Sequence, residues 1–342
     1  MDRHSLFRLT LAGLAAARFP KWAPGAADLR GMVLTLHHVR PERAGEFAPN
    51  AHLSITPDFL DHLLAALKLD GWRFTPLEEL VAGRQRGNAL AVTLDDGFRD
   101  NATHALPVFR RHDVPFTIFV CPGFCDRTAE IWWEALERII AAAGQVRLDD
   151  EPGTPVSPSR TAAEKRRAFS AWSEWLTVAT DEARQRIAIR KLAAAYDIDL
   201  AALAAELVMD WAEIRTIAAE PLCTIGAHTL THPALARLDA ADAFAEMSGS
   251  ADRLAAELGR RPRVIAFPYG YPAAAGRREA LLAEQAGFAA SFTTQPGYIG
   301  AERGNQALPR ISVNGGFQNV AMLEVLLTPA LWRLQKRLRR GR

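Results

Sequence analysis

A chain of 342 residues exceeds the size of most single hydrophobic cores, yet α/β barrels reach this length as one domain. An apolar fraction of 49% excludes disorder, and 41 Lys+Arg against 39 Asp+Glu, a net charge of +2, exclude a general affinity for nucleic acid or other acidic polymers. The three cysteines, Cys121, Cys125 and the distant Cys223, form no paired framework; they read as reduced, buried thiols rather than the staples of a secreted domain.

Residues 1–30 read as a helical lead segment. Leu9 to Ala17 follows Arg3 and Arg8 with the length of a short signal core, but Arg18 and Lys21 interrupt it and no small-residue cleavage site follows. Nothing approaches the ~18–20 uninterrupted apolar residues of a membrane span. A cytoplasmic protein is therefore expected in preference to an exported one.

A barrel is expected over 31–325. Residues 32–36 read as a buried strand that ends at His37 and His38. Thr56 and Pro57 supply an N-cap and a proline at the first helical position, opening a helix that runs to about Asp70. Its apolar residues Phe59, Leu60, Leu63, Leu64 and Leu67 keep helical spacing. Further strands are expected at 90–94, ending at Asp95-Asp96-Gly97, at 116–120, and at 222–225, ending just before His228. Three more fall at 264–267, 289–293 and 311–313. Helical patterns at 240–258 and 280–286 separate some of them. Alternating strand and helix implies a parallel sheet, and about seven such units close most economically into a distorted (β/α) barrel. Polar clusters follow the strands, where a barrel gathers its chemistry on one face.

The stretch from about 126 to 221 breaks this rhythm. It is Ala-rich and helical, and it holds Trp132, Trp133, Trp172, Trp175 and Trp211, five of the eight tryptophans. It reads as a helical insertion, whose tryptophans are either core or surfaces for stacking. Residues 326–342 form a basic amphipathic helix, with Leu327, Leu331, Leu334 and Leu338 beside Arg333, Lys336, Arg337, Arg339, Arg340 and Arg342. Such a helix either docks by its leucines or makes peripheral contact with an anionic membrane.

Adjacent carboxylates at Asp95 and Asp96 repel unless a cation or a shared proton relieves them; otherwise they mark a solvated turn. Gly97 lets the backbone turn sharply there. His228 and His232, four apart, can meet on one face of a helical turn, and Pro233 ends any helix at that point. Two imidazoles and a carboxylate make a known metal triad that leaves positions for water and substrate. The ligand types suit zinc, with iron, cobalt, nickel or manganese as alternatives.

Thr93-Leu94-Asp95-Asp96-Gly97 resembles the TFDDG motif of the polysaccharide deacetylases with a NodB homology domain (carbohydrate esterase family 4). His228 to His232 matches that family's H[ST]xxH, and Ala266 to Gly270 resembles its third motif. The resemblance implies metal-dependent hydrolysis of N-acetyl groups from amino sugars of a polysaccharide or its glycan precursor. It also implies Asp96, His228 and His232 as metal ligands, Asp95 as catalytic base and the backbone N–H of Tyr269 as oxyanion donor. The usual arginine of the third motif is Ala266 here, and Arg310 is the expected substitute. Leu36-His37-His38 resembles the Tyr-His-x-Val start of the permuted subgroup that includes poly-N-acetylglucosamine deacetylases. On that basis His38 is expected to be the catalytic acid, with His37 at the tyrosine position. The competing readings are hydrolysis of a small non-sugar amide and a catalytically inactive glycan-binding barrel.

Overall fold

The computed structural model describes residues 3–340 apart from 24, 26, 27, 43, 44, 85, 86, 302 and 303. The side chains of Arg3, Lys336, Leu338, Arg339 and Arg340, and all of Arg342, lie outside what is described.

The chain begins with α1 (Arg3–Ala16) and α2 (Phe19–Trp22) and then enters β1 (Leu29–Leu36). Helix α3 (Pro57–Leu69) starts as the sequence predicts: Thr56 Oγ1 accepts the Phe59 N–H at 3.1 Å and Pro57 follows the cap. Its Leu60, Leu63, Leu64 and Leu67 are buried. Then come β2 (Ala89–Asp96) and β3 (Phe116–Val120). The helices α4 (Trp132–Ala142), α5 (Ala162–Glu174), α6 (Glu182–Ala195), α7 (Leu200–Leu207) and α8 (Trp211–Ala218) stand between β3 and β4 (Cys223–Ala227). The rest of the chain runs through α9 (Ala240–Leu258), β5 (Val264–Ala266), α10 (Arg277–Gln285), β6 (Ala290–Phe292), β7 (Ile311–Ser312), α11 (Val320–Leu326) and α12 (Pro329–Arg340).

The strands run parallel in the order β6-β5-β4-β3-β2-β1, and β7 adds in parallel to the far side of β1. Leu308 bridges back to Phe292 on β6, with its N–H donating to Ser291 O at 2.8 Å, while Ile311 three residues on pairs with Leu34. One segment thus touches both ends of the curled sheet, as the expected distorted barrel of about seven strands requires. The short strand Ile299–Gly300 pairs antiparallel with the start of β1.

Strand period decides which residues meet. Odd-numbered residues of β1 and β2, Val33, Ala89 and Ala91, join Phe119, Val264, Ala266 and Phe292 inside the barrel. Even-numbered ones, Met32, Leu34, Leu36, Leu90, Val92 and Leu94, pack outward against the helical shell. Parallel pairing of Leu36 with Leu94 brings His37 level with Asp95.

All three cysteines are buried free thiols. At the C-terminus, the expected leucine face is only partly docked. Leu327 and Trp332 are buried and Leu331 is half-buried, but Leu334 is exposed, because Trp332 takes the inward position and its Nε1 donates to Leu326 O at 2.7 Å.

Candidate active site

The C-terminal ends of β1, β2, β4 and β5 deliver the polar residues to one end of the barrel. Asp95 continues the inward row of β2. Its neighbour Asp96 would point outward by strand alternation, but a φ of 74° turns it back toward β4. Thr229, His232 and Tyr269 also have positive φ, at 61°, 65° and 60°. Left-handed backbone at non-glycine residues costs about 1–3 kcal/mol each and gathers where function demands a geometry. Gly270, with φ 62°, has no such freedom to lose: a Cβ there would lie 2.4 Å from Thr294 N.

Asp96, His228 and His232 each offer a ligand atom, all within 4.8 Å of one another, and all three residues are buried. Both imidazole Nε2 atoms lie 3.3 Å from Asp96 Oδ1. Nδ1 of His228 is 2.9 Å from Ala266 O, so donation there leaves Nε2 as a lone pair facing the cluster. Asp96 Oδ1 and His232 Nδ1 are nevertheless buried without a hydrogen bond of good geometry. A buried carboxylate oxygen without a hydrogen bond, facing two imidazole nitrogens, is the donor set a divalent cation satisfies. Burial pushes the Asp96 carboxyl up, but the two imidazoles outweigh it and hold the group well below its ordinary value.

Asp95 is held by Arg310. The guanidinium donates Nη1 to Oδ1 at 2.7 Å and Nη2 to Oδ2 at 2.8 Å, while Nε donates to Thr293 O at 3.0 Å. Arg310 is fully buried, with its charge over the Phe119 ring. Burial raises the Asp95 carboxyl, but the Arg310 charge and hydrogen bonds together with His228 and His37 outweigh it, so Asp95 lies below its ordinary value. A fork of two charge-assisted bonds also fixes the plane of the carboxylate.

The structure corrects the expectation for His38. This side chain follows the outward, even-numbered row of β1, is wholly buried, stacks on Phe98 and has Nδ1 2.6 Å from Asp100 Oδ2. It does not line the cavity at the candidate site. His37 does, with Nε2 3.9 Å from Asp95 Oδ2. A shift of one residue along a strand exchanges the two faces. The signal was present: aligning Tyr-His-x-Val on Val39 sets Leu36 at the tyrosine position and His37 at the histidine position. Burial lowers the His37 imidazole more than Asp95 and Asp96 raise it, so it lies below its ordinary value. The backbone at this turn is tied from β2's far side, since Asn101 Nδ2 donates to His37 O at 2.8 Å and the Val39 N–H donates to Asp100 Oδ1 at 3.1 Å. Sequence reasoning missed Asp100 and Asn101, which have no motif spacing to reveal them.

These groups open into a cavity of about 400 Å³, walled mainly by apolar surface. Trp132, Trp133 and Phe169 come from the insertion, and Tyr269 and Tyr271 from the loop after β5. Trp132 Nε1 donates to Tyr269 Oη at 2.8 Å, joining the two walls. Trp172 and Trp175 instead pack on each other inside the insertion, and Trp211 lies under Arg253.

The chain matches the polysaccharide deacetylase family over residues 82–148 and 185–290, which is 173 of its 342 residues. Those stretches contain Asp95, Asp96, His228, His232 and Tyr269, whereas His37 and Arg310 lie outside them. Comparison with curated proteins gives no match. Among solved structures, the Streptococcus pyogenes deacetylase PplD in complex with acetate is similar at a TM-score of 0.56 and 17% identity, covering 87% of this chain and 97% of that one. A de-N-acetylase from Aggregatibacter actinomycetemcomitans gives 0.56 and 12%, over 87% and 99% of the two chains. IcaB from Ammonifex degensii gives 0.52 and 18%, over 88% and 96%. At these identities the likeness is one of fold.

Proposed function

The chain belongs to the polysaccharide deacetylase family, and we propose that it removes N-acetyl groups from amino sugars of a polysaccharide or its glycan precursor with the help of a divalent cation. Family membership makes it a hydrolase of amide C–N bonds, an N-deacetylase. The observation that carries the finer reading is the pairing of a buried, Arg-held Asp95 with the open-ligand cluster of Asp96, His228 and His232 beside it.

Asp96, His228 and His232 would hold a divalent cation, for which nitrogen and carboxylate donors suit zinc, and such an ion would supply Lewis-acid polarisation of the acetyl carbonyl and a more acidic water. Asp95 takes the proton of the attacking water, and Arg310 keeps that carboxylate ionised and in plane until it does. The backbone N–H of Tyr269 donates to the developing oxyanion. His37, on the cavity wall across from Asp95, gives a proton to the departing amine as the C–N bond breaks, leaving acetate and a free amino sugar. The aromatic faces of Trp132, Trp133, Tyr269 and Tyr271 suit the apolar faces of sugar rings.

The test is metal analysis of the purified protein together with acetate release from chitooligosaccharides and from small non-sugar amides. Metal at one equivalent with release from the sugars supports the reading. Release from the small amides alone would give the site a different substrate, and no release from either would leave a glycan-binding barrel.

A further inference from the structure

The charges of this chain are segregated. Residues 3–27 and 325–342 contain ten of the 41 Lys+Arg and none of the 39 Asp+Glu. The rest of the chain, with 31 cations against 39 acids, carries a net −8, hidden within an overall +2.

The fold brings the two cationic ends together. Both α1 and α2 pack on α11, and α12 follows α11 directly. Arg333 of α12 then ties the ends to each other: Nη1 donates to Gly25 O at 3.3 Å, Nε donates to Tyr298 Oη at 3.1 Å, and Nη2 pairs with Asp28. The same helices also present apolar side chains to solvent. Among the described side chains of α1 only Leu11 is fully buried, while Leu6, Leu9 and, on α2, Trp22 are 54%, 60% and 63% exposed. Phe7 and Leu334 are exposed as well. On the same segments the cations Arg8, Arg18, Lys21 and Arg337 are exposed. The nearby acids offset these charges only in part: Asp28 is taken by Arg333, and Glu324, pushed up to about 7 by burial and by its neighbour Asp70, stands close enough to Lys21 to feel its charge.

We propose that α1, α2 and α12 form one docking face for the surface of an anionic phospholipid bilayer. Exposed Leu, Phe and Trp side chains enter the boundary between headgroups and acyl chains, and the surrounding Arg and Lys side chains meet lipid phosphates. Two weak signals on one face give stable attachment where either alone gives reversible contact. The chain lies on the bilayer rather than through it, since among the described residues no helix is long and apolar enough to cross. A second copy of this chain is a poor occupant, because two faces with an excess of cations repel. The face is also connected to the active site. The Phe7 ring packs edge-on against Phe317, 6.4 Å between centroids, and the turn Gly315–Phe317 sits against Pro49–Leu53, which contributes His52 and Leu53 to the cavity wall. Docking therefore holds the site close to glycans carried at the membrane surface.

The full chain is sedimented with vesicles of phosphatidylcholine alone or of phosphatidylcholine mixed with phosphatidylglycerol, at low and high salt. Binding to the mixed vesicles, weakened by salt and weak on neutral ones, is expected. The triple variants L6S/L9S/W22S and R8E/R18E/K21E, and Arg337→Glu on the other helix, should each reduce the bound fraction, the charge triple by roughly tenfold or more. All should keep the wild-type turnover on a soluble amino sugar, which also reports that they fold. Equal binding to neutral and anionic vesicles, binding unchanged in all three variants, or a homodimer that the apolar triple dissociates would each overturn the proposal. Vesicle binding is read without turnover, so its failure and a failure of the deacetylase reading are distinguishable.

Discussion

Arg310 and Asp95 are 215 residues apart in the chain, yet the guanidinium of one meets the carboxylate of the other through two parallel bonds of 2.7 and 2.8 Å. The pair forms because the segment leading into β7 closes the sheet against β6 and β1, bringing Arg310 beneath the end of β2. Arg310→Met strips a buried carboxylate of its partner and should cost about 3–5 kcal/mol of stability, measured by denaturant unfolding. Arg310→Lys keeps the charge and loses the fork; it should fold with a smaller loss and a clear fall in turnover. An Arg310→Met variant as stable and as active as wild type would remove this pair from both roles.

The proposed ligand and base can be separated at adjacent positions. Asp96→Ala, His228→Ala and His232→Ala should each lose most bound metal, read by elemental analysis after dialysis. Asp95→Asn should keep its metal and lose roughly 10²–10⁴-fold in turnover, the usual contribution of a general base. Metal lost together with activity in Asp95→Asn would make Asp95 a ligand.

Zinc should raise the melting temperature of wild type and a chelator should lower it, because an ion that binds the folded cluster and not the unfolded chain stabilises by mass action. The His232→Ala variant should show little of this shift. Equal zinc shifts in wild type and His232→Ala, read by thermal unfolding, would place the metal elsewhere.

The two adjacent histidines should behave in opposite ways. His37→Ala should keep the fold and the metal while lowering amide turnover, and it should hurt less on an activated ester, whose leaving group needs no proton. His38→Ala leaves the Asp100 carboxylate without its imidazole and opens a space against Phe98, so its main effect should be a loss of stability. Asn101→Ala frees the His37 carbonyl and should reproduce part of the His37→Ala defect, again more on amide than on ester. Equal losses on both substrates for His37→Ala would make that residue structural.

Gly270→Ala should be destabilising by about 1–3 kcal/mol and should damage turnover, since the new Cβ strains a left-handed position and pushes on Thr294 beside Tyr269. Unfolding and turnover measured together test this; a neutral substitution would mean the loop after β5 can move freely.

Much of the site was legible because its signals are local. The apolar runs at 90–94 and 222–225 end abruptly at Asp95-Asp96-Gly97 and before His228, and strands alternating with helices point those ends to one face. Thr56 and Pro57 marked the start of α3 for the same reason, since a cap depends on the next three residues only. Arg310 could be named as a candidate from what the third motif lacks, but its fork on Asp95 could not, because nothing in the local sequence encodes which strand closes on which.

The sequence by itself determined the strand–helix alternation, the Asp, Asp, His and His of the candidate site, and the collection of cations at the two ends of the chain. Tertiary structure alone decided that His37 faces inward and His38 outward, that a left-handed turn swings Asp96 toward the imidazoles, and that Trp132 and Trp133 wall the cavity while Trp172 and Trp175 fill the insertion. It also joined the two cationic ends through Arg333. Local propensity acts over a few residues and sets where strands begin and end. Which face a side chain occupies, and which distant partner it meets, depends on sheet register and closure, and those are settled by packing across the whole barrel.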